Sequence, residues 1–157
     1  MKRELILQDR GLKLPAPPPR GGVYTPVRAF GENLLYASGF GPAMEGAVPV
    51  LGKLGREVTV EQGQEAARCC TLNMLAAVKA VAGDLDRVER IVKLLVFVAS
   101  DDDFYWQPQV ANGASQLLVD VFGEEAGLAA RSAVGMNVLP GNIPVEIEAV
   151  IELRKAE

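Results

Sequence analysis

Histidine is missing from all 157 residues. Acid–base chemistry therefore falls to Asp, Glu, Tyr, Lys or Cys, and Ser-His-Asp triads, Cys-His pairs and histidine-containing zinc sites are excluded. Cysteine is nearly missing too: Cys69 and Cys70 are adjacent within a helical pattern. Neighbouring helix positions point about 100° apart, so the pair cannot share a compact metal site and reads as small buried hydrophobes. No metal site is expected. No apolar run reaches the roughly 18–20 residues that span a bilayer. Met1-Lys2-Arg3-Glu4 also lacks the apolar segment of a signal peptide, so a cytoplasmic protein without a membrane partner is expected. Excess positive charge is absent as well, and the net charge of −4 argues against a nucleic-acid surface.

What is present is ordinary globular composition, 49% hydrophobic and 23% charged, at a length that suits one domain. Residues 1–14 read as a short helix or turn anchored by Leu5, Ile6, Leu12 and Leu14. Pro15 to Pro19 then force an extended stretch, so residues 1–20 form an extension strapped onto a single domain of residues 21–157. Val23–Phe30 and Leu34–Ser38, separated by Gly31-Glu32-Asn33, predict a β-hairpin. From Gly39 to Arg56 the chain is rich in Gly and Pro, an irregular loop with one short strand around Val48–Leu51. Its glycines match neither a phosphate loop nor a dinucleotide fingerprint.

Thr59-Val60-Glu61-Gln62 is a capping box opening a helix that runs to Ala82, with Ala67, Cys70, Met74, Val78 and Val81 on one stripe and Leu75 beside it. Val88–Ala99 reads as a strand. Asp101, Asp102 and Asp103 offer N-caps to a second helix striped by Val110, Ala114, Leu117, Leu118 and Val121 and ended by Gly123. Two strands follow, Ala129–Met136 and Pro144–Leu153, joined by a turn at Leu139-Pro140-Gly141-Asn142; from Val145 the second alternates apolar and acidic residues. Two helices cover one face of such a sheet, yet Ile91–Val98 is apolar at both parities. The other face therefore needs a cover, and a homo-oligomer with a site between subunits is expected. Arg131, set among small and apolar residues, needs a partner: either a nearby Glu or an anionic ligand.

Ser38-Gly39, Asn73-Met74-Leu75, Val92–Val98, Ala130-Arg131-Ser132-Ala133-Val134, Leu139-Pro140 and Val145-Glu146-Ile147-Glu148-Ala149 together form a pattern. It resembles the RidA (YjgF) family of reactive-intermediate imine deaminases, over about residues 21–153. The stretch Val110–Ser115 and the Pro-rich N-terminus look like a longer subgroup. The resemblance implies an α/β (α+β) chorismate-mutase-like sheet with two helices on one face, packed as a homotrimer with clefts between subunits. It implies cofactor-independent hydrolysis of small 2-imino carboxylates to 2-keto acids and ammonia. On that likeness Arg131 clamps the substrate carboxylate and Glu146 handles water and protons. Tyr24, Gly39, Phe40 and Ser132 would bind the substrate, Phe40 standing where many members carry Gln. Ala133 replaces a frequent Cys, and Ala129-Ala130 replace a His of the subgroup. Two rivals remain: a trimeric module that binds small carboxylates without turnover, and the family's older label of endoribonuclease or translation inhibitor. The acidic total weakens the latter.

Overall fold

A computed structural model describes residues 2–155. Its elements in chain order are α1 (Arg3–Asp9), β1 (Val27–Phe30), β2 (Leu34–Phe40), α2 (Val60–Ala82), β3 (Val88–Ala99), α3 (Gln107–Phe122), α4 (Glu124–Gly127), β4 (Ala130–Met136) and β5 (Val145–Leu153). The five strands form one sheet in the order β1-β2-β5-β3-β4. All pairs are antiparallel except β3–β4. This is the α+β chorismate-mutase-like arrangement, with α2 and α3 packed together on the sheet.

The alternation of β5 explains which face is dry. Val145, Ile147, Ala149, Ile151 and Leu153 are buried, while Glu146, Glu148, Val150 and Glu152 sit on the opposite face. The buried row meets Met74, Leu75 and Val78 of α2 and Leu117, Leu118 and Val121 of α3 in one core. Each fully buried aliphatic side chain of this kind contributes about 1.5–3 kcal/mol relative to exposure. Among the described residues no helix covers the opposite face, and Phe30, Tyr36, Val134 and Met136 lie exposed there beside half-buried Leu95 and Phe97.

The capping box forms as expected: Thr59 Oγ1 accepts from the Gln62 amide and the Gln62 side chain accepts from the Thr59 amide. Such a cap contributes about 1 kcal/mol. The stripe of α3 is entirely buried, and that of α2 is buried except for Val81, which is exposed at the helix end.

Other expectations need correction. Val48–Leu51 forms no strand, and Val48 and Leu51 are exposed. The N-terminal anchor is Leu7, with Leu12 and Leu14 only partly buried and Leu5 exposed. Long-range contacts fix its helix: the Arg3 amide donates to Asp86 at 2.8 Å, and Arg10 pairs with Asp120 at 3.0 Å. Asp101, Asp102 and Asp103 do not cap α3, whose N-cap position is Trp106 and whose first turn holds Pro108. Asp101 instead pairs with Arg56 at 2.6 Å. The two C-terminal strands are consecutive in sequence but not in the sheet, because β3 lies between them.

Candidate functional site

Arg131 lies on β4 opposite Leu94 of β3, on the helix side of the sheet. Its Nη1 donates to Asn112 Oδ1 at 2.8 Å and to Ser115 Oγ at 3.1 Å. Asn112 and Ser115 stand three residues apart on α3, so they share one helix face. Both acceptors are neutral. They orient the guanidinium without neutralising it, and no described carboxylate lies within ion-pair distance of it. The internal Arg–Glu pairing is therefore not the state of this residue among the described residues. With Nη1 engaged twice, the Nε–Nη2 edge remains for a planar anion.

Glu146 belongs to β5 and pairs in register with Phe97, so it points to the sheet face opposite the helices. Burial, and then the charge of Glu148, raises its carboxyl above the ordinary carboxylate value. Gly39 makes room for it. The residue occupies a bulge between Ser38 and Phe40, and a Cβ there would collide with the Glu146 carboxylate. Any larger residue there would require the Glu146 carboxylate to shift.

Tyr24, Gly39 and Phe40 line one cavity of about 210 Å³, together with Pro18, Pro19 and Asn73. Asn73 is buried and fixes the cavity floor by donating to the Gly41 and Ala43 carbonyls at 2.9 and 2.8 Å. Tyr24 precedes β1 rather than lying within it, and its hydroxyl accepts weakly from the Gly21 amide at 3.4 Å. The Phe40 ring is 2% exposed, so it supports the wall from the core side. Ser132 sits on the open face opposite Leu95, where its Oγ accepts from Lys93 Nζ at 2.7 Å. Its hydroxyl therefore points away from the Arg131 side.

Five of the six candidate residues form two groups within one chain, and Ser132 stands apart on the open face of β4. Arg131 lies toward α3 at the β4 end of the sheet, while Glu146, Gly39 and the Tyr24 cavity lie around β2 and β5. One chain does not bring the guanidinium and Glu146 onto the same face. Asn112 and Ser115, which hold the guanidinium, were not singled out from sequence as site residues. Their signal was a polar pair at helical spacing flanking the Arg-bearing strand, with Gly113 between them. A Cβ on Gly113 would collide with the Gln64 backbone, so this glycine sets the close approach of α2 and α3.

The cysteines divide. Cys70 is buried and donates to the Val145 carbonyl at 3.4 Å, whereas Cys69 is half-buried with its thiol pushed up to about 11, chiefly by burial. Neither is an activated nucleophile. Among the described residues no group of three or more Cys, Asp or Glu could hold a metal ion, and no helix is long and apolar enough to cross a membrane.

The chain matches the family described as "YjgF/chorismate mutase-like, putative endoribonuclease" over residues 4–153. It is 46% identical over 147 residues to Protein TCP17 of Trypanosoma cruzi, covering 94% of this chain and 91% of that protein. The crystal structure of protein Atu1372 from Agrobacterium tumefaciens is 45% identical, with a TM-score of 0.87 over 97% of this chain and 92% of that one. The structure of Escherichia coli TdcF with bound serine is 25% identical, with a TM-score of 0.61 over 91% of this chain and 96% of that one. The match runs through every strand of the sheet and both long helices, and on that ground the chain belongs to the YjgF (RidA)/chorismate mutase-like family.

Proposed function

We propose that this chain is a cofactor-independent enamine/imine deaminase that hydrolyses small 2-imino carboxylates to 2-keto acids and ammonia. The observation that carries the reading is the Arg131 guanidinium, oriented by neutral Asn112 and Ser115 and not paired with a described carboxylate. A planar cation with one free edge suits a carboxylate held through two parallel hydrogen bonds. Glu146 would take a proton from water as the oxygen bonds to the imine carbon. It would return that proton to the nitrogen, giving the carbinolamine, and would then carry the hydroxyl proton to the same nitrogen as the carbon–nitrogen bond breaks, leaving the keto acid and ammonia. A carboxyl raised above its usual range is the better base for this. TdcF, a family member, binds serine, an amino acid with its own carboxylate.

Because the two residues occupy opposite faces of one chain, a site using both needs a neighbouring copy. The reading therefore includes a homotrimer in which Arg131 of one protomer faces Glu146 of the next, with the exposed apolar sheet face covered. The test generates 2-iminobutyrate in situ and follows its loss. Wild type should accelerate hydrolysis and Arg131→Ala should not. Occupied clefts with 2-ketobutyrate but no acceleration would instead establish a carboxylate-binding module.

A further inference from the structure

Two carboxylates share the open face of β5, two residues apart, and their surroundings differ. Glu148 Oε1 accepts from the Tyr36 hydroxyl at 2.9 Å, and Glu148 Oε2 accepts from Ser38 Oγ at 2.9 Å. Both donors come from β2, where Ser38 stands opposite Glu148 in register. Hydroxyls donating to both oxygens fix the position of this carboxylate. Glu146 has no hydrogen-bond partner among the described residues and rests against the Gly39 backbone.

The other charged and titratable groups nearby are accounted for. Arg28 of β1 is opposite Tyr36 and in no described ion pair. Lys93 of β3 is turned to Ser132, and Glu152 is paired with Arg90 at 2.8 Å. From the helix side Cys70 of α2 feels the Glu146 charge, and burial keeps that thiol neutral. Among the described residues no cation is a cause of the raised Glu146 carboxyl.

We propose that Glu148 is a positioning residue for the reaction, a negative charge clamped by Tyr36 and Ser38 that makes its neighbour Glu146 a stronger base. This rests on the deaminase reading. Like charges this close on a partly dry face disfavour ionising both. Glu148 is held by two donors, and its charge is the second cause, after burial, that raises the Glu146 carboxyl. The raised Glu146 carboxyl and the raised Tyr36 hydroxyl, the latter held by its hydrogen bond to Glu148, have the signs this arrangement requires.

The test compares wild type, Glu148→Gln and Glu148→Asp by two readouts. Carboxyl carbon NMR follows the Glu146 titration without any need for turnover, and the pH profile of 2-iminobutyrate hydrolysis follows its use. In Glu148→Gln both midpoints should move to lower pH and the plateau rate should fall. The variant should then retain a larger share of its plateau rate than wild type on the acid limb, which a merely structural loss would not produce. Glu148→Asp should restore the wild-type direction. An unmoved Glu146 midpoint in folded Glu148→Gln would overturn the proposal whatever the activity. A moved midpoint with no imine turnover by wild type would overturn the deaminase reading and, with it, a catalytic use for the pair.

Discussion

Replacing Arg131 by Lys keeps the charge and removes the fork. Two of the five guanidinium N–H groups are spent on Asn112 and Ser115, which leaves three, two of them parallel along the Nε–Nη2 edge. A carboxylate can take two of these in parallel, each net hydrogen bond to a charged group contributing about 1.5–3 kcal/mol. An ammonium in the same place offers one good contact and has no second anchor in Asn112 to hold its direction. The loss is therefore one charge-assisted bond, or about 10- to 150-fold in Kd. Titration calorimetry with 2-ketobutyrate reads the binding directly, and kcat/KM on 2-iminobutyrate reads the same loss in turnover. Asn112→Ala should fall between wild type and Arg131→Lys, because it frees the guanidinium to rotate while leaving its charge. An Arg131→Lys variant that binds the keto acid as tightly as wild type would refute the bidentate clamp.

Glu146→Gln removes a carboxyl whose folded pKa lies above its unfolded value. Between those two values the native state holds more protons than the unfolded state, so wild-type stability falls as pH rises through that window. The variant should therefore melt higher than wild type at neutral pH, with the difference vanishing below the ordinary carboxylate range; a lower Tm at pH 7 would contradict this. Gly113→Ala should lower Tm by several degrees. The added Cβ meets the Gln64 backbone, and overpacking of about 1–3 kcal/mol outweighs the roughly 1 kcal/mol that alanine gains in a helix. An unchanged or raised Tm would show that the two helices can separate at little cost.

Local chemistry was legible wherever it was also decisive. Thr59 and Gln62 are three residues apart and satisfy each other's amides, so no tertiary contact could overrule that helix start. The alternation from Val145 to Leu153 could only be a strand with one dry face. Asp101 shows the opposite case, because a cap competes with an ion pair. Arg56, forty-five residues away in sequence, holds its carboxylate at 2.6 Å. The insertion of β3 between β4 and β5 is likewise invisible locally, since strand order is set by which apolar rows meet across the sheet. Pairing along β3 decides the site, because it turns Arg131 toward α3 and Glu146 away from it. The residues were readable one by one, while their separation onto two faces needed the register.

Co-expressing Arg131→Ala and Glu146→Gln chains with different tags, and purifying through both, gives the most direct test. If the guanidinium of one protomer works with the carboxyl of the next around a closed ring of three, every mixed trimer contains one intact site. Two inactive proteins then yield about a third of wild-type imine hydrolysis. Mixed assemblies as inactive as either parent would contradict the shared site.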